Sequence, residues 1–132
     1  MIIRHWLMGA PMALLLCLEV GCGSSREVAI KGQVGSSTAA QVDGPIAVQF
    51  FDIVDTAKPS LVHSIKLDRL AAFDEKAALQ GDEVLVRAIN DRDNDGACST
   101  GEAWAEVRVP VKEDNTVEAV NLELKADACP TE

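Results

Sequence analysis

The 132-residue sequence predicts an all-β fold, a single small β-sandwich of six or seven strands. Three observations carry that expectation. Short segments alternate apolar and polar residues with a period of two. Clusters of Gly, Pro, Asp and Asn separate them at regular intervals. The clearest segments, Val84 to Ile89 and Ala103 to Val111, are rich in β-branched valine and isoleucine.

The strands follow in order. Val28 to Val34 alternates, with Val28, Ile30 and Val34 on one face, Lys31 and Gln33 on the other, and Gly32 as a weak point. A Ser/Thr/Gly loop from Gly35 ends in the turn Asp43-Gly44-Pro45. Ile46 to Ile53 is the second strand. Ile46, Val48 and Phe50 share a face, and Ala47, Phe51 and Ile53 give the other face apolar character too. Leu61 to Leu67 is the third, with Leu61, His63, Ile65 and Leu67 on one side, which makes His63 a packed or edge histidine.

Residues 68–80 leave two readings open. Asp68 can cap a helix containing Leu70, Ala71, Ala77 and Ala78 and ending at Gly81, and local propensity favours it. The other reading is a strand from Phe73 to Leu79. Beyond the Gly81-Asp82 turn, Val84, Val86 and Ala88 line one face of a strand, with Leu85, Arg87 and Ile89 opposite. Ala103, Ala105, Val107, Val109 and Val111 oppose Trp104, Glu106 and Arg108. After Asp114-Asn115, Val117 to Leu124 closes the sandwich with Val120, Leu122 and Leu124 on one face. The domain spans residues 28–125, and 126–132 form a C-terminal tail.

Between two of these strands lies Asp91-Arg92-Asp93-Asn94-Asp95-Gly96-Ala97-Cys98-Ser99-Thr100-Gly101-Glu102. It fits the pattern D-x-[DN]-x-[DN]-G-x5-E at every fixed position, the pattern of a calcium loop. A hard cation needs several oxygens converging from one stretch of backbone. Asp91, Asp93 and Asp95 supply them at alternate positions, and Gly96 permits the sharp turn. The carbonyl of Ala97, a water held by Ser99 and the two carboxylate oxygens of Glu102 complete the expected Ca²⁺ sphere. A generic polar turn uses the same residue types, but needs neither acids at alternate positions nor a glutamate at the twelfth. Magnesium, which prefers fewer protein ligands and a strict octahedron, fits less well. An EF-hand places helices on both sides of such a loop. Here both flanks have strand period, and Pro110 would break an exiting helix. The expectation is therefore a metal-clamped connection between adjacent strands.

The N-terminus reads as an export signal, residues 1–21, that is cleaved. Arg4 makes a basic start, and an apolar stretch from Trp6 to Leu18 follows. Leu18-Glu19-Val20-Gly21-Cys22-Gly23-Ser24-Ser25 resembles the lipobox of bacterial lipoproteins, although Glu19 stands where an aliphatic residue is usual. The resemblance implies lipidation at Cys22, a polar tether over 22–27, and anchorage to a membrane of the cell envelope, at the outer membrane or the cell surface. Without the lipid, the signal implies a secreted or periplasmic protein. Cys17 would leave with the signal and Cys22 would carry lipid. Cys98 and Cys129 then remain as a pair for a disulfide in an oxidising compartment. No C-x-x-C spacing suggests zinc.

Arg4 and Glu19 cancel, so the formal charge of −9 stays with the mature part. Such a surface excludes nucleic acid as a partner and suits cation binding and solubility. Tyrosine is absent and aromatics are few, which disfavours a carbohydrate-stacking platform.

Gly81-Asp82-Glu83-Val84-Leu85-Val86-Arg87-Ala88-Ile89-Asn90-Asp91, running into Asp93-Asn94-Asp95-Gly96 and Gly101-Glu102-Ala103-Trp104, is similar to bacterial extracytoplasmic sandwich modules of the transthyretin-like or carboxypeptidase-regulatory-like type. Pro45 to Asp52 fits an earlier strand of such modules, and Ala72-Phe73 fits the start of the next. The resemblance implies an Ig-like sandwich, tips Phe73 to Leu79 towards strand, and implies a structural or binding role without catalytic residues. The expected function is a non-enzymatic envelope lipoprotein that scaffolds or binds an envelope or extracellular partner. The competing readings are a single EF-hand-type calcium protein and a calcium-assisted hydrolase. For the latter the sequence offers no nucleophile elbow, H-E-x-x-H or P-loop.

Overall fold

Alternating burial organises the chain into seven strands, seen in a computed structural model that describes residues 24–37, 42–54 and 58–130. They are β1 (Arg26–Ser36), β2 (Ile46–Ile53), β3 (Ser60–Leu67), β4 (Ala72–Leu79), β5 (Glu83–Asn90), β6 (Trp104–Pro110) and β7 (Thr116–Leu124). No helix occurs among the described residues. Two sheets form, ordered β4-β1-β7 and β3-β2-β5-β6. All strand pairs are antiparallel except β1 with β7, which run parallel.

The inner faces of the two sheets make one apolar core. Val28, Ile30 and Val34 of β1, Phe73, Ala77 and Leu79 of β4, and Val117, Val120, Leu122 and Leu124 of β7 come from one sheet. Ile46, Val48 and Phe50 of β2 and Val84, Val86 and Ala88 of β5 come from the other. Phe50 is fully buried and meets the Phe73 ring edge-on at 5.8 Å between centroids, tying the sheets together. His63 of β3 packs 5.4 Å from the Phe50 ring and bonds Glu75 of β4 at 2.9 Å, which closes one side. On the other side Trp104 and Lys125 exchange two backbone hydrogen bonds of 3.0 Å.

Residues 72–79 are strand, so of the two readings left open the helical one falls away and the strand from Phe73 to Leu79 holds. Its Ala, Glu and Lys favour a helix locally, but burial of Phe73, Ala77 and Leu79 and the ladder to β1 override that preference. Two bulges also alter the expected faces. In β3 an extra residue sits opposite the Phe50–Phe51 step, so Leu61 pairs with Phe51 and is 53% exposed instead of facing inward with His63. In β7 the partners of Ile30 and Gly32 are Val117 and Val120, and Ala119 takes a φ of 58°. Gly32 is what allows this: a Cβ there would lie 2.4 Å from the Val120 carbonyl oxygen and 2.7 Å from the Phe73 ring.

Strands β2 and β5 are central and covered on both faces. Ala47, Gln49, Ile53, Leu85 and Ile89 are buried on the outer side. There the Arg87 guanidinium lies 5.0 Å from the centre of the Phe51 ring and pairs with Glu106 at 3.0 Å. Asp52 of β2 is also buried. Its two oxygens accept from the amides of Gln80 and Gly81, both at 2.9 Å, and so hold the turn between β4 and β5.

Candidate metal centre

The connection between β5 and β6 starts and ends on fixed backbone. The Asn90 amide donates to the Ala103 carbonyl at 2.8 Å, and the Asp91 amide donates to Pro45 at 3.0 Å. The ladder between β5 and β6 thus continues to the mouth of the loop and brings Asp91 and Glu102 side by side. Both are buried, at 1% and 4% exposure, while Asp93 and Asp95 stand exposed on the rim.

The loop is shaped by its own acids. The Asp91 carboxylate accepts from the amides of Asp95 at 3.1 Å and Gly96 at 2.8 Å. The Glu102 carboxylate accepts from the amides of Arg92 and Ser99, each at 2.8 Å. Asp95 accepts from the Ala97 amide at 2.9 Å, and the Ser99 hydroxyl donates to Asp93 at 3.3 Å. Asn94 and Gly96 both take positive φ, of 58° and 74°, and turn the chain back on itself. This half of the loop then lies against the outer face of the sheet. Gln49 of β2 donates to the Gly96 carbonyl at 2.7 Å, and Lys66 of β3 donates to the Asn94 side chain.

The outcome is a cluster in which Asp91, Asp93, Asp95 and Glu102 each offer an oxygen within 4.8 Å of the others. Such a set of hard oxygen donors could hold a metal ion. Its electrostatics divide the acids. Burial alone would raise the Asp91 carboxyl, but the Gly96 and Asp95 amides, with hydrogen bonds shared with Asp93 and Asp95, hold it below the ordinary carboxylate range. Asp93 shifts upward through desolvation, through hydrogen bonds shared with Asp91 and Asp95, and through the negative charges of Asp95 and Glu102. Asp93 is exposed, so the crowding of like charges is the part that a bound cation would reverse.

The other expected site residues are placed as follows. Ala97 is exposed beside Asp95, and Ser99 is half-buried between Asp93 and Glu102. Cys98 and Cys129 are joined in a disulfide, with their Cα atoms 5.7 Å apart. Cys22, Gly23 and residues 1–21, expected as the signal, lie outside the described residues; of the expected tether, Ser24 and Ser25 precede the sheet, and Arg26 and Glu27 already belong to β1. Gln49 was missed by sequence reasoning; its only signal is a polar residue among the apolar residues of β2. The flanks of the loop are strands β5 and β6, so the helix–loop–helix arrangement of an EF-hand does not form here.

Comparison of the chain with known proteins finds no matching family model, no matching curated protein and no matching solved structure.

Proposed function

We propose that this chain is a non-enzymatic lipoprotein of a bacterial cell envelope. Its sandwich holds one structural Ca²⁺ in the 91–102 loop and serves as a scaffold or binding module for an envelope or extracellular partner. One observation carries the reading: four carboxylates from a single short connection converge to within 4.8 Å. Calcium suits them best. It accepts irregular shells of six to eight oxygens, whereas magnesium demands a tight octahedron. Zinc would seek thiolate or imidazole, and Cys98 is committed to a disulfide. The ion would act as a staple, cancelling the repulsion among the acids and fixing the β5–β6 connection.

The non-enzymatic part rests on how the polar residues are used. Asp52 holds a turn, His63 and Glu75 bond each other across the sheets, and Arg87 pairs with Glu106. None of these groupings contains a nucleophile beside a base. Lipid anchorage rests on Gly21-Cys22 and the export signal before it. Growth with a radiolabelled fatty acid tests it: label appears on the wild type and disappears in Cys22→Ser, and an unlabelled wild type refutes it. The calcium reading is tested by scanning calorimetry of the full-length protein. Millimolar calcium raises the wild-type Tm and leaves the Asp93→Asn/Glu102→Gln protein unmoved. Equal shifts in both refute the site.

A further inference from the structure

The two halves of the acidic loop are held in different ways. The first half, from Asp91 to Gly96, is tied to the sheet by Gln49 and Lys66 and braced by the amides that donate to Asp91. The second half carries the expected ligands Ala97 and Ser99. Its ties reach the rim acids Asp95 and Asp93 and the base acid Glu102, all within the loop itself. Its covalent anchor is Cys98, which sits between those two residues and is bonded to Cys129. The tail bearing Cys129 is itself fixed. The Trp104 indole donates to the Ala128 carbonyl at 2.9 Å, next to the Trp104–Lys125 bridge. The disulfide, the tail and Trp104 therefore give the second half of the loop a second connection to the start of β6, beside the direct one through residues 100–103 and the Ser99–Glu102 hydrogen bonds.

We infer that the Cys98–Cys129 disulfide is a redox control on the cation affinity of the 91–102 loop. The inference rests on the calcium reading above. With the bridge closed, residues 97–99 are restrained before the ion arrives, and less ordering remains to be done on binding. With the bridge open, the tail is released and the second half of the loop must be ordered by the ion. The opening step needs a dithiol reductant. Its thiolate attacks one sulfur and the Cys98–Cys129 bond breaks. The mixed disulfide then resolves onto the reductant's second sulfur. Two electrons and two protons pass to the protein, which holds two thiols, and the reductant leaves as a disulfide. Coupling is reciprocal, so calcium protects the bridge by the same factor by which the bridge strengthens calcium binding.

The test is calcium titration calorimetry of the full-length protein, oxidised and in dithiothreitol, with circular dichroism to follow the strands. Reduction is expected to weaken binding about tenfold, within the range ordinary for coupled sites, and Cys98→Ser/Cys129→Ser is expected to match the reduced protein. A second measurement does not require the reduced protein to stay folded. The ratio of dithiothreitol to its oxidised form at half-reduction rises about tenfold in saturating calcium, and does not move in Asp93→Asn/Glu102→Gln. Equal calcium affinities with and without the bridge overturn the inference and leave the calcium site standing. So does a half-reduction point indifferent to calcium, or one that calcium moves equally in the variant. Absence of heat from the oxidised wild type overturns the site itself and the inference with it.

Discussion

The inter-sheet core and the β5–β6 loop are built on opposite physics. The core cluster contains no charged side chain, and Phe50, Val48, Val84 and Val86 are fully excluded from water. Its stability comes from apolar burial and close packing, which ions barely touch. The loop gathers four carboxylates within 4.8 Å and buries two of them. Apolar burial cannot hold such a cluster together; backbone amides and a counter-charge can. The two regions meet where Asn90 bonds Ala103, so the core fixes the ends of the loop, and under the proposed reading a cation would fix its middle. The difference teaches that the protein should have one stability that ignores calcium and one that depends on it.

The sharpest way to break this comparison is to damage the core. Phe50→Ala removes the ring that joins the two sheets and is expected to lower unfolding stability by about 3–5 kcal/mol. Urea denaturation with and without calcium should return the same loss, because Phe50 lies in the core cluster and outside the loop. A loss that changes with calcium would mean that core and loop are not separate.

Asp52→Ala sharpens the comparison from the polar side. It leaves the buried amide of Gly81 and the part-buried amide of Gln80 without an acceptor, which costs about 2–3 kcal/mol. Asp52 is an acid like those of the loop, but it serves a turn. Its loss should therefore be equal in calcium and in chelator, and a calcium-sensitive loss would undo the distinction between the two kinds of carboxylate. Withdrawal of calcium is the smallest perturbation. At concentrations ten to a hundred times a Kd of about 10⁻⁴–10⁻³ M, the ion contributes about 1–3 kcal/mol. Removing it should lower the wild-type Tm without altering the strand content seen by circular dichroism.

What could be read from the residues followed the range of the interactions. Strand β2 runs from Ile46 to Ile53 as its alternation indicates, and β5 and β6 fall within a residue of theirs. Strand β4 was not legible from propensity, because Ala, Glu and Lys favour a helix until β1 pairs with them. The similarity to sandwich modules, not the period, pointed to strand there. The outward turn of Leu61 and the bulge at Ala119 depend on neighbours distant in sequence, and no local signal marks them. The four clustered acids were legible because one short segment holds them all. The Cys98–Cys129 pair followed from counting cysteines. Gln49 was not, since its bond to Gly96 spans 47 residues.

The central claim is that crowded carboxylates in the β5–β6 connection bind a divalent cation. Isothermal titration of the oxidised, full-length protein with calcium tests it most directly. One site is expected with a Kd of about 10⁻⁴–10⁻³ M, together with silence from Asp93→Asn/Glu102→Gln under the same conditions. A wild type that gives no heat up to tens of millimolar calcium, a concentration well above that range, would contradict the account.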